Sequence, residues 1–166
     1  MPITRKQKET ILEKLQDIIK RVPSAVFVNF HGLTVRDAME IRKELKANDV
    51  GYTVAKKTLI KKALTSSKAK GDIPALDGEV AIAYPQSADA VDTTAPARNI
   101  YTFQKKFEGH LGILGGIFDG EFLNRERMLE IATIPSQTVL RGMFANVINS
   151  PIQRLVIALG AIAEKK

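Results

Sequence analysis

The sequence predicts an α/β fold: a mixed sheet of four to five strands flanked by helices, followed by a hinged C-terminal helical tail. Three observations carry that expectation. Short runs rich in β-branched and aromatic residues alternate with segments of helical period through most of the chain. Glycines interrupt the strand-like stretch 109–123, which reads as a ribbon with one tight turn or bulge. The final stretch, SPIQRLVIALGAIAEKK, follows a breaker and holds nothing polar between Leu155 and Ala163.

The elements follow in order. Thr4 and Gln7 have the spacing of a capping box, in which each side chain satisfies an orphan backbone donor. Ile11, Leu12, Leu15, Ile18, Ile19 and Val22 then recur at helical spacing until Pro23 stops the run. SAVFVNF (24–30) reads as a buried strand, and Thr34 of HGLTVRD caps a helix from Val35 to Ala47. VGYTVA (50–55) is a second strand, KKTLIKKAL (56–64) a short helix and GEVAIAY (78–84) a third strand. A helix over 94–107 places Ile100, Phe103 and Phe107 on a core face, and the glycine-broken ribbon follows. Beyond it, 124–133 is a short helix and IPS breaks the chain. Val139, Leu140, Met143, Phe144 and Val147 stripe the next helix. NSP (149–151) interrupts that helix, with Pro151 opening the last one. The expected divisions are 1–134 as an α/β domain, 135–148 as a connecting helix, and 149–166 as a hinge and terminal helix.

Composition narrows the chemistry. The 166 residues are 45% hydrophobic and 26% charged, the balance of a globular chain with room for one ordinary domain. Absence of cysteine removes disulfides, thiolate metal sites and Cys nucleophiles together. The N-terminus lacks the uninterrupted apolar core of a secretory signal, and no uninterrupted apolar run approaches the roughly 20 residues of a membrane span. A cytoplasmic protein is therefore expected, with no membrane partner. His31 and His110 are the only histidines, and no carboxylate spacing points to a metal around either. GHLGILGG is not followed by Gly-Lys-Ser/Thr and lacks dinucleotide-fingerprint spacing. No nucleophile–base–orienter set is visible, so no catalytic residue, metal or cofactor is expected, and the chain reads as a non-enzyme.

Charge is distributed unevenly. Residues 1–70 hold 16 Lys/Arg against 7 Asp/Glu, whereas 71–166 hold 9 against 11. Lys56, Lys57, Lys61, Lys62, Lys68 and Lys70 fall in a stretch, 50–71, without a single acid. Arg5, Lys6 and Lys8 form a second patch ahead of the first acidic residue. A merely solubilising surface intersperses both signs, so these patches point to phosphate contacts. Poor aromatic interleaving argues for a folded RNA held by backbone and shape rather than stacked single strands. In the tail, Ile152, Leu155, Val156, Leu159, Ile162 and Ala163 make a continuous apolar face for a partner groove. Burying four such aliphatic side chains contributes about 6–12 kcal/mol before association costs are subtracted.

AVFVNFHGLTVRDAMEIRKELKANDVGYTVAKKTLIKKAL resembles the N-terminal signature of the bacterial large-subunit ribosomal protein ten family. LDGEVAIAY, the glycine-rich strand, IATIPS and PIQRLVIALGAIAEKK match that family in order, so the resemblance spans essentially the whole chain. His31 stands where the family usually has Arg, and Lys57 where it often has Asn. The resemblance implies a non-catalytic constituent of the large ribosomal subunit at the base of the ribosomal stalk. It adds His31, Gly32, Thr34 and Thr58 to Arg5, Lys6, Lys8, Lys56, Lys57, Lys61 and Lys62 as RNA-binding residues. It further implies that the terminal helix carries dimers of the acidic stalk protein, seven/twelve, which recruit translational GTPases. The short tail suits two dimers. Ribosomal protein eleven would be the neighbour on the RNA, and the family includes members that bind their own messenger RNA. An assembly factor of the same fold, binding the RNA transiently, is the alternative.

Overall fold

A computed structural model describes residues 5–67, 70–87, 92–107 and 109–164, with side chains described between Gln7 and Ala163. Thr4 of the expected capping box and Lys68 of the lysine cluster lie outside the described residues, as do the side chains of Arg5 and Lys6. The chain divides into two units, 1–134 and 135–166.

In the first unit, helix α1 (Arg5–Arg21) leads into strand β1 (Ser24–Phe30), followed by α2 (Val35–Ala47), β2 (Val50–Ala55) and α3 (Lys57–Thr65). Then come β3 (Val80–Pro85), α4 (Ala95–Lys106), β4 (Leu111–Phe118), β5 (Glu121–Asn124) and α5 (Arg125–Thr133). The five strands form one sheet in the order β2-β3-β1-β4-β5. β1, at its centre, carries the apolar run of a strand covered on both faces, and Val26, Phe27 and Val28 are fully buried.

The α/β class, the five flanked strands and the terminal helix match the expectation. The mixture of strand directions does not: every pairing is antiparallel. β3 inserts between β1 and β2, which therefore run the same way without touching. β1 likewise separates β3 from β4. Alternation of strand and helix in a sequence reveals each crossover but not the strand slotted into it.

Two apolar cores face the two sides of this sheet. Val26, Val28, Ile41, Leu45, Ile100, Phe103 and Met128 gather beneath α2, α4 and α5. Phe27, Leu15, Ile60, Leu64 and Ile82 gather beneath α1 and α3. The glycine-rich ribbon contains both features expected of it. Asp119 (φ 50°) and Gly120 (φ 79°) turn β4 into β5 with two left-handed residues, the geometry that suits a tight hairpin. A bulge shifts the β1–β4 register between Phe27 and Val28.

The second unit corrects the expected break at 149–151. Gln137 to Glu164 is one 28-residue helix, α6, with Pro151 inside it. The ring deprives the Val147 carbonyl of its donor four residues on, at a cost of about 3 kcal/mol. Regular helix nevertheless continues on both sides, so Pro151 is a weak point within the helix and not its first residue. Joined in this way, Gln137–Ala163 is long and apolar enough, by length and composition alone, to cross a membrane, although neither half is.

Candidate nucleic-acid interface and docking helix

Register gathers the predicted RNA residues at one end of the sheet. Ala55 pairs with Val80, Asn29 with both Val80 and Gly112, and Phe30 with Leu111. The close of β2, the start of β3, the close of β1 and the start of β4 therefore share one edge. Lys56 and Lys57 leave it on one side, and His31 and Gly32 in the middle. Lys61 and Lys62 follow one turn along α3, all of them exposed, while Ile60, Ala63 and Leu64 on the opposite face of that helix are buried. A hollow of about 1,140 Å³ lined by Ile11, Lys14, Phe30, Lys56, Lys57 and Glu79 brings α1 to the same end. Lys8 is exposed on that helix. Among the described residues, the ion pairs are Arg98–Asp92 and Lys106–Glu40, so the α3 lysines are left unneutralised.

The loop after β1 is held from an unexpected quarter. His31 N–H donates to the His110 carbonyl (2.9 Å), and His110 Nδ1 lies 3.0 Å from the His31 carbonyl. A carbonyl can only accept, so Nδ1 carries the proton. Gly32, at φ +67°, lies under the same ring. Sequence reading gave His110 a general structural or surface role, and nothing in a separation of 79 residues could have paired it with His31. Thr34 caps α2 as expected, accepting from Asp37 N–H (3.2 Å) and donating to Asp37 Oδ2 (2.7 Å). Its hydroxyl proton is thus already committed. Thr58 is exposed in the first turn of α3.

The tail residues are likewise open. Ile152 (62% exposed), Leu155, Val156, Leu159 and Ile162 all face solvent, and so does Ala163. Val139, Leu140, Met143, Phe144, Val147 and Ile148 earlier in α6 are also exposed. No group of three or more His, Cys, Asp or Glu suited to a metal occurs among the described residues.

Residues 3–105 match the family described as ribosomal protein L10, and residues 134–166 match the ribosomal protein uL10 C-terminal region. The chain belongs to the ribosomal protein L10 family. It is 30% identical over 160 residues to the large ribosomal subunit protein uL10 of Lactobacillus acidophilus, covering 96% of this chain and 92% of that one. It is 32% identical over 159 residues to the uL10 of Staphylococcus carnosus (96% and 93%) and 31% identical to that of Bacillus licheniformis over the same shares. Membership of the L10 family makes the chain a structural protein of the large ribosomal subunit, cytoplasmic and not an enzyme. The separate match of 134–166 falls on the unit that carries the bare apolar helix.

Proposed function

We propose that the sheet end of the first unit binds large-subunit ribosomal RNA at the stalk base, beside ribosomal protein eleven, while α6 anchors dimers of the acidic stalk protein seven/twelve. That arrangement supports the recruitment of translational GTPases, and the same RNA-binding surface could take the protein's own messenger RNA. One observation carries the reading: a 28-residue helix bears twelve exposed large apolar side chains. Water is a poor partner for such a surface, and L10 membership supplies a ribosomal context for a better one. At 1.5 Å per residue α6 spans about 42 Å. At 100° per residue, the stripe Val139–Val147 and the stripe Ile152–Ala163 point about 130° apart around the helix. Two differently directed stripes suit two dimers, each taking one.

Removal of 151–166 is expected to abolish capture of the dimer seated on the second stripe and to leave RNA affinity unchanged, as read by native mass spectrometry and filter binding. Equal dimer occupancy on the truncated chain would overturn the anchoring role. For the RNA, Lys61→Ala with Lys62→Ala is expected to lower the slope of log affinity against log salt by about 1–2 units, because each phosphate contact releases a counterion. An unchanged slope places the phosphate contacts elsewhere.

A further inference from the structure

A second hollow, about 490 Å³ in volume, opens at the same end of the sheet around the start of β4. Its size falls in the range of small-ligand clefts, roughly 300–1,000 Å³. β5 pairs only with Gly115–Phe118, so the first residues of β4 have no strand on their outer side. Gly109 and Gly112 leave the space beside them empty: a Cβ on either would meet nothing within 4 Å. Two cations border the hollow, Lys105 from α4 and Arg125 from α5, and neither enters an ion pair among the described residues. Lys105 Nζ sits 4.6 Å from the centroid of the Tyr101 ring, which joins it in the lining. Asn29 and Gln104 also line it, and Asn29 Oδ1 and Gln104 Oε1 are buried with no hydrogen-bond partner.

Buried amide oxygens left without donors carry a desolvation cost that a bound donor relieves. Nucleobase edges offer N–H donors, and a nucleotide brings them together with a phosphate for the cations. From this combination we infer that the hollow is a nucleotide subsite, taking one unpaired RNA base against Asn29 and Gln104 with its flanking phosphates on Lys105 and Arg125. The inference rests on the RNA-binding reading above and extends it: RNA would reach from the α3 lysines past His31 and His110 to the start of β4. It also gives the bonded His31–His110 pair a task, since it forms the ridge between the two patches.

The full chain and a transcript of the stalk-base segment of large-subunit ribosomal RNA test this. Lys105→Ala with Arg125→Ala is expected to lower the salt slope by about 1–2 units, independently of the Lys61/Lys62 pair. Gln104→Met, which keeps the side-chain volume, is expected to weaken binding about five- to tenfold with the slope unchanged. Without RNA, nucleoside 5′-monophosphates at millimolar concentration should shift the side-chain amide resonances of Asn29 and Gln104 in NMR spectra, while inorganic phosphate leaves them in place. If the Lys61/Lys62 pair changes the slope but the Lys105/Arg125 pair and Gln104→Met leave binding untouched, RNA binding stands and the subsite falls. If phosphate reproduces the nucleotide shifts, no base is read and the subsite falls too. If neither lysine pair alters the slope, and nucleotides shift nothing, both readings fail together.

Discussion

A Cβ on Gly32 would project to 3.2 Å from His110 Nδ1, on a backbone at φ +67° that L side chains rarely adopt. Two costs therefore meet at one position, the left-handed conformation and a ring already fixed by its hydrogen bond to His31. Gly32→Val is expected to cost about 1–3 kcal/mol in urea unfolding and to weaken RNA binding beyond that of a Gly109→Val control. Gly109 is also left-handed (φ +84°), but a Cβ there meets nothing within 4 Å, so the control carries the strain without the contact. Equal losses at both sites would show that His110 does not hold the loop. A different demand acts at Gly116, where a Cβ would stand 2.5 Å from the Ala25 carbonyl and 2.6 Å from Met128 Cε. Here close approach, not dihedral angle, requires glycine.

Helix ends show how far local grammar reaches. Thr34 was legible as a cap because its oxygen, its spacing to Asp37 and the apolar period beyond it all lie within a few residues. The start of α4 was less legible. Asp92 accepts from Thr94 N–H (3.1 Å), from the Thr94 hydroxyl (2.7 Å) and from Arg98 (2.7 Å), tying the loop to the helix across six residues. Burial pushes its carboxyl up, but the hydrogen bonds from Thr94 and Arg98 and the Arg98 charge outweigh that and leave it below the usual carboxylate range. A carboxylate held low stabilises the fold above its unfolded value, near pH 4, and that contribution disappears as pH falls through the folded value. Asp92→Asn is therefore expected to cost about 1–2 kcal/mol at pH 7. Stability-against-pH curves of the two proteins should converge as the medium is acidified below about pH 4. Parallel curves would remove Asp92 from the pH response. Pro151 marks the opposite failure: a strong local signal for a break was overridden because helical residues on both sides sustain α6. Antiparallel order and the His31–His110 bond were invisible for a related reason, since each is set by contacts between segments far apart in the chain.

At the scale of the whole molecule, the chain separates two ways of meeting a ribosome. The first unit buries its large apolar residues on both faces of a sheet and leaves cations at one end. The second leaves its apolar residues bare along one helix, and a lone helix in water gains little from backbone propensity. Each side of the balance has a measurable consequence. Removing 135–166 takes away no buried core residue, so the unfolding midpoint of 1–134 should match that of the full chain. The full chain, in contrast, is expected to self-associate at micromolar concentration, since pairing two α6 stripes buries surface that has no other cover. Sedimentation of both forms decides it: a concentration-dependent shift for the full chain and none for 1–134 is the expected result. Addition of the acidic stalk protein should then dissolve the self-associated species into defined complexes, because the two occupants compete for the same stripes. Self-association that persists unchanged in 1–134, or in excess stalk protein, would move the sticky surface off α6 and with it the anchoring role.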